Sequence, residues 1–92
     1  MRTAFIKTLL ELTAADPRIM LLTGDLGYGV LEPFAKDRPK QFINLGVAEQ
    51  NLMGFAAGLA LAGRTPICYS IATFLTLRAY EQVRNDICYQ NL

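Results

Sequence analysis

The strongest chemical signal in this 92-residue sequence is a single carboxylate in a segment that is otherwise uncharged. Glu49 follows an apolar stretch and a glycine, and residues 48–62 contain no other charged side chain. Ionised carboxylates avoid apolar surroundings unless a partner neutralises them. Two interpretations fit this position. Glu49 either complements the helix dipole in a first helical turn, or it is a catalytic acid tuned by burial.

Two further candidates follow other apolar runs. Asp25 lies in the glycine-rich loop 24–29, and Phe74 follows the apolar stretch 67–71. The loop lacks the Gly-Lys-Ser/Thr ending of a Walker loop, so a flexible turn at a strand exit is the alternative to a binding loop. Core packing is the alternative for Phe74.

The elements that would position these residues alternate along the chain. Apolar periodicity and breaker residues predict helices over 2–15, 30–37, 47–62 and from about 74 onward, and strands over 19–23, 41–45 and 67–71. This alternation predicts a three-layer α/β fold with a parallel sheet between helices. Because ligands bind beyond the carboxyl ends of parallel strands, we expect Asp25, Glu49 and Phe74 at one edge of the sheet.

Composition narrows the class of protein. Apolar residues make up 52% of the chain and charged residues 18%, which is typical of a globular domain. The net charge is +1 without a basic block, which argues against nucleic acid or an anionic membrane as partner. Cys68 and Cys88 lie in apolar runs and have no Cys or His at metal-binding spacing, so we predict buried free thiols, no metal site and a cytoplasmic location.

Small residues dominate the helix predicted over 47–62. Gly54 and Gly58 lie in its interior, where each glycine costs about 1 kcal/mol relative to alanine. Their presence predicts a close approach of another backbone. That neighbour is either a partner subunit or the sheet of the same chain.

Residues 46–51 (GVAEQN), followed by 54–58 (GFAAG), closely resemble the pyrimidine-binding domain of transketolase-type thiamine-diphosphate enzymes. The resemblance implies a partial thiamine-diphosphate-binding fold, and it implies that thiamine diphosphate is the cofactor. In that family the glutamate of this motif contacts the cofactor's aminopyrimidine ring. The resemblance therefore favours the catalytic interpretation of Glu49.

The same resemblance assigns the remaining site residues. Glu49 would hydrogen-bond a ring nitrogen in its protonated form, which an apolar setting favours. Phe74, Leu77 and Tyr80 correspond to an aromatic patch that packs on the ring, although Leu77 departs from the family pattern and Tyr80 could instead cap the sheet. Asp25 matches an acidic position on the thiazolium side of the cofactor.

Neighbouring polar residues receive supporting roles. Gln50 and Asn51 are predicted to support Glu49 or to lie in a subunit interface. Arg78 and the run 84–86 are predicted to form a solvated or interface face of the last helix.

Parts of the family pattern are absent from these residues. The diphosphate-and-metal motif, Gly-Asp-Gly…Asn, does not occur, and the chain has no histidine to bind sugars. The resemblance therefore implies that this chain is inactive alone. Because three predicted strands make a small sheet with no closing strand after the last helix, we expect residues 1–92 to be a single, incomplete pyrimidine-binding domain, the N-terminal part of a longer one. A partner domain or subunit of a split, oligomeric enzyme would hold the diphosphate and Mg²⁺.

The function implied is that of a transketolase subunit, a transferase that moves a two-carbon ketol unit between sugar phosphates. A 1-deoxyxylulose-5-phosphate synthase and the beta subunit of a 2-oxoacid dehydrogenase are alternatives within the same class of enzymes. A non-catalytic assembly module that keeps the fold is the alternative from another class, and retention of Glu49 and Phe74 argues against it.

Overall fold

Three parallel strands form the centre of the computed structural model, which describes all 92 residues. In chain order the elements are α1 (Arg2–Ala15), β1 (Ile19–Thr23), α2 (Glu32–Asp37), β2 (Phe42–Asn44), α3 (Glu49–Leu61) and β3 (Thr65–Tyr69). The chain ends in a C-terminal helical segment. Its short α-helix, α4 (Tyr80–Gln82), lies between the π-helical stretches Phe74–Arg78 and Val83–Cys88.

The sheet has the order β2-β1-β3, so β1 is its central strand. Thr23 at the end of β1 lies opposite Asn44 of β2 and Tyr69 of β3. The carboxyl ends of all three strands therefore share one edge. The uninterrupted apolar run of β1 is what a strand covered on both faces requires.

Side chains pack in two clusters, one on each face of the sheet. Leu21 and Leu22 are adjacent on β1 and point to opposite faces, and neither is exposed. On one face, Leu21 packs with Ile6 and Leu9 of α1, with Leu31 in the turn before α2, and with Phe34 of α2. On the other, Leu22 packs with Leu52, Ala56 and Leu75 of α3 and the C-terminal segment. The predicted three-layer α/β fold is confirmed.

Some boundaries differ from the predictions. β3 begins at Thr65 and ends at Tyr69, two residues earlier than predicted, because Thr65 N–H donates to the Arg18 carbonyl and Pro66 is tolerated in an edge strand. The helix predicted from residue 30 begins at Glu32. The turn before it is closed by Val30 and Leu31, whose N–H groups both donate to the Gly27 carbonyl.

The C-terminal segment departs from a regular α-helix. Its π-helical stretches use wider turns, a geometry that frequently occurs at functional sites. Leu75 and Ala79 are nevertheless buried, whereas Leu77 and Tyr80 are 70% and 62% exposed. None of the helices combines the length and the apolar character needed to cross a membrane.

The two interior glycines of α3 do not face the sheet. A Cβ atom added to Gly54 or Gly58 would meet no atom within 4 Å. Ala56 and Ala57 are the residues of α3 that are buried in this region. The prediction that these glycines pack against the chain's own sheet is therefore wrong. Their contact with a partner subunit stays a prediction.

Candidate active site

Two turns meet closely at the carboxyl edge of the sheet. Leu45 N–H donates to the Thr23 carbonyl at 2.9 Å, which holds the exit of β2 against the end of β1. A Cβ atom on Gly24 would lie 3.0 Å from the Gly46 carbonyl oxygen, so glycine permits this approach. Gly46 itself has φ +76°, a conformation that glycine adopts without strain. These two glycines bring the first turn of α3 to the edge where β1 ends.

Glu49 is the first residue of α3, and its side chain is 12% exposed. Its Oε1 atom lies 3.5 Å from Nη1 of Arg78, which comes from the C-terminal segment. The carboxylate that stood alone in the sequence therefore has a cationic partner that is distant along the chain.

Arg78 also contacts a second predicted site residue. Its Cζ atom lies 3.5 Å from the centroid of the Phe74 ring, a close cation–π contact. Gln50 supports the arrangement, because its Nε2 donates to the Arg78 carbonyl at 3.3 Å. Glu49, Gln50, Phe74 and Arg78 thus form one group, which we call the Glu49 cluster. Phe74 belongs to neither hydrophobic core, so its core-packing interpretation is wrong.

From the sequence, Arg78 is predicted only to lie on a solvated or interface face of the last helix. Its side chain is indeed 54% exposed, but it contacts both Glu49 and Phe74. The available signal was its spacing, since Arg78 comes four residues after Phe74 and residues four apart share a helix face.

Asp25 lies in a separate group at the same edge of the sheet. Tyr28 Oη donates to Asp25 Oδ1 at 2.7 Å, and Asn44 Nδ2 donates to the same oxygen at 3.4 Å. These hydrogen bonds, first that of Tyr28 and then that of Asn44, lower the pKa of Asp25, and the carboxylate raises the pKa of Tyr28. Asp25 has φ +59°, which aspartate tolerates better than most residues. The loop is therefore held by specific contacts.

Asn44 links this group to the turn before Glu49. Its Oδ1 accepts from the Asp25 N–H at 2.9 Å and from the Gly46 N–H at 3.0 Å. Sequence reasoning missed Asn44. A polar residue at the end of a strand next to β1 was the signal that could have identified it. No hydrogen bond or ion pair joins Asp25 directly to Glu49 or Arg78.

Leu77 and Tyr80 remain on the surface beside the Glu49 cluster. Both are mostly exposed, and neither takes part in its ion pair or its cation–π contact. Because the Tyr80 side chain is mostly exposed, the alternative prediction that it caps the sheet is wrong. No group of three or more His, Cys, Asp or Glu side chains lies close enough to hold a metal ion.

Within the Glu49 cluster, Glu49 and Phe74 together hold one flat nitrogen-containing group, the guanidinium of Arg78. A guanidinium group is planar and carries N–H donors along its edge. Here such a group lies against the ring of Phe74 and next to the carboxylate of Glu49. The residues present therefore fit an aminopyrimidine ring, which offers the same combination of a flat face and a nitrogen-bearing edge.

Comparisons with known proteins decide the family. A family model described as the transketolase pyrimidine-binding domain matches residues 1–92. The chain belongs to this family. The resemblance inferred from residues 46–58 is thereby confirmed.

Relatives of this transketolase-family domain include two kinds of enzyme. The 1-deoxy-D-xylulose-5-phosphate synthase of Thermomicrobium roseum is 47% identical over 90 residues, which cover 96% of this chain and 14% of the synthase. A subunit of the apulose-4-phosphate transketolase of Actinobacillus succinogenes is 49% identical over 61 residues, covering 66% of this chain and 20% of that polypeptide.

A solved structure agrees in fold and in sequence with this transketolase-family domain. It is a split-gene transketolase in the form of an inactive beta4 tetramer, with a TM-score of 0.82 and 46% identity. The match covers 91% of this chain and 28% of the solved chain. The chain therefore spans between 14% and 28% of the length of these three relatives.

Proposed function

We propose that this chain is the cofactor-activating part of a thiamine-diphosphate-dependent transketolase. The observation that carries the proposal is the arrangement of Glu49 and Phe74 around a single planar cation. A carboxyl group beside a flat aromatic surface is what the binding and polarisation of an aminopyrimidine ring require. Membership of the transketolase family supports the choice of thiamine diphosphate as the cofactor.

Each candidate site residue of this chain has a defined role in the proposal. Glu49 in its protonated form donates a hydrogen bond to a ring nitrogen, and the low exposure of its side chain limits competition from water. Phe74 packs against one face of the ring, and Leu77 and Tyr80 border it. Asp25 lies on the thiazolium side. Thiamine diphosphate, once bound, would supply a nucleophilic carbon for reaction at the carbonyl group of a substrate.

The rest of the active site belongs to a partner in this proposal. A domain or subunit with the diphosphate-binding motif would hold the diphosphate group and Mg²⁺, and sugar phosphates would bind between it and this chain. The apulose-4-phosphate transketolase relative, which is itself a subunit, and the split-gene tetramer support an assembly of separate polypeptides.

The reaction proposed is the transfer of a two-carbon ketol unit between sugar phosphates. The split-gene transketolase and the apulose-4-phosphate transketolase relative favour it. The 47% identity to a 1-deoxy-D-xylulose-5-phosphate synthase favours a second candidate, the synthesis of that product. The product of the assembled enzyme distinguishes the two candidate reactions. Ketol transfer yields a new pair of sugar phosphates, and the second reaction yields 1-deoxy-D-xylulose 5-phosphate.

The experiment that tests the catalytic proposal uses the complete polypeptide with its diphosphate-binding partner, thiamine diphosphate and Mg²⁺. We expect Glu49→Ala to lower kcat by about 10²-fold or more, the usual contribution of a positioned acid–base group. Glu11→Ala, which removes an exposed carboxylate of α1, is the matched control and should leave kcat unchanged. Full activity of Glu49→Ala, or a wild-type assembly that binds no cofactor, would refute the proposal and leave Glu49 as a helix-start carboxylate.

A further inference from the structure

We propose that the Arg78 side chain is an internal occupant of the ring-binding site and must move away before a cofactor ring can bind. The site is the pair Glu49 and Phe74, so this inference rests on the proposed function. It adds a residue that controls access to the site and that the sequence motif does not include.

Arg78 makes both contacts that the proposal assigns to the ring. Its guanidinium carbon is 3.5 Å from the centre of Phe74, which is the contact distance of two stacked flat groups. Its Nη1 lies 3.5 Å from Oε1 of Glu49 and forms an ion pair with that carboxylate. A second planar group has no room between Arg78 and that face of Phe74. Binding of a ring on this face and the observed position of Arg78 are therefore mutually exclusive.

The contacts that hold Arg78 are of a kind that a ligand can displace. The Arg78 side chain is 54% exposed, and ion pairs and cation–π contacts at exposed positions are weak. No hydrogen bond to the Arg78 guanidinium meets the usual geometric criteria. A ring that stacks on Phe74 and hydrogen-bonds Glu49 would replace both contacts, so neither site residue would be left without a partner.

The backbone around Arg78 allows the side chain to move by itself. The Arg78 carbonyl accepts a hydrogen bond from Gln50 of α3, which ties this part of the C-terminal segment to the core helix. Leu75 and Ala79, on either side of Arg78 in sequence, are buried. Rotation of the long arginine side chain into solvent would therefore leave the segment in place, and Phe74 would keep its position for the incoming ring.

Because Arg78 covers Phe74, we expect the wild-type protein to bind the cofactor more weakly than it would without this side chain. When a binding-competent state is only partly populated, the apparent dissociation constant rises by the inverse of that fraction. If Arg78 covers Phe74 about nine-tenths of the time, its removal tightens binding about tenfold. The test is calorimetric titration of thiamine diphosphate, with Mg²⁺, into the complete assembled polypeptide that carries Arg78→Ala.

Two further variants, one control and one second test, complete this measurement. Arg84→Ala removes an exposed arginine of the same segment that makes no ion pair, and it should leave the Kd unchanged. Arg78→Gln shortens the side chain and removes its charge, and it should tighten binding as Arg78→Ala does. A Kd that is unchanged or weaker in both Arg78 variants would overturn the inference.

The outcome for Glu49→Ala in the same titration separates this inference from the proposed function. If Glu49→Ala weakens binding or abolishes activity while the Arg78 variants bind as wild type, only the role of Arg78 is refuted. If Glu49→Ala changes neither binding nor activity, the ring-binding site itself is refuted, and the role of Arg78 falls with it.

Discussion

At the scale of single residues, the edge of the sheet is organised by side chains that join segments distant in sequence. Asn44 accepts from the N–H groups of Asp25 and Gly46, so one amide oxygen fixes both the exit of β1 and the turn before α3. Arg78 joins the C-terminal segment to the start of α3 through Glu49. Asn44 therefore fixes the backbone on both sides of the site, whereas Arg78 contacts the proposed site residues, and both polar residues lie outside the GVAEQN motif.

The two cysteines provide a residue-scale prediction. Burial raises the pKa of the Cys68 thiol to about 11, whereas Cys88 is exposed, so the prediction that Cys88 is buried is wrong. The thiolate is the reactive form, and at pH 8 a thiol with a pKa near 11 is ionised in only about one molecule in a thousand. We expect iodoacetamide at pH 8 to modify Cys88 at least about tenfold faster than Cys68, as measured by peptide mass spectrometry.

Unfolding in urea is the control for this measurement, because it should make the two cysteines react at similar rates. Cys88→Ser should remove nearly all modification of the native protein. Equal labelling of both cysteines in the native protein would contradict the burial of Cys68 against α3.

The sequence predicted Glu49 and Phe74 as site candidates because each follows a predicted strand and carries a chemically distinctive side chain. It did not predict that Arg78 would pair with them. An arginine side chain can reach in several directions, and its partner is decided by how the C-terminal segment packs on α3. Asn44 was missed for a similar reason, since its contacts depend on which strand lies beside β1.

At the scale of elements, the loop between β1 and α2 illustrates how local backbone geometry positions a site. Gly27 has φ +90° and Gly29 has φ +74°. A Cβ atom on Gly27 would lie 2.5 Å from Cγ of Leu31, a side chain buried in the core beside Phe34. A Cβ atom on Gly29 would meet nothing within 4 Å. The two glycines thus share a backbone requirement but differ in their surroundings.

This difference predicts unequal costs of alanine substitution. Both variants lose about 1–2 kcal/mol of unfolding free energy, because positive φ is strained for residues with a Cβ atom. Gly27→Ala also forces Leu31 to move, and overpacking of this kind costs about 1–3 kcal/mol more. Urea denaturation of Gly27→Ala and Gly29→Ala, each compared with wild type, measures both terms. Equal destabilisation by the two variants would show that Leu31 can adjust freely.

Elements were predictable where one physical signal dominated. β1 matches its predicted bounds because its apolar run is uninterrupted and ends at Gly24. The predicted start of β3 is two residues too late, because a proline in a sequence usually indicates the end of a strand. Pro66 is compatible with β3 because β3 is an edge strand. The π-helical stretches were not predicted, since the choice between α and π turns depends on packing against α3.

At the scale of the whole molecule, β3 is an edge strand with an apolar cleft on each face of the sheet beside it. It forms one edge of the sheet and pairs only with β1. Ile67 lines an open apolar cleft together with residues of α1, and Cys68 lines another with residues of α3. Both faces of the sheet are thus incompletely covered beside the same strand. These features support the prediction that residues 1–92 are part of a larger pyrimidine-binding domain.

Hydrogen exchange of the complete polypeptide tests that prediction. Backbone amides that are paired in a stable sheet open only with much of the domain, so a stability of about 5 kcal/mol slows their exchange by a factor of several thousand. The amides of β1 lie between two strands and provide the protected reference. If a further strand pairs with the free edge of β3, the amides of Thr65–Tyr69 that do not donate to β1 should exchange as slowly as those of β1. Fast exchange of these amides would mean that the sheet ends at β3 and that the two clefts beside it are open to solvent.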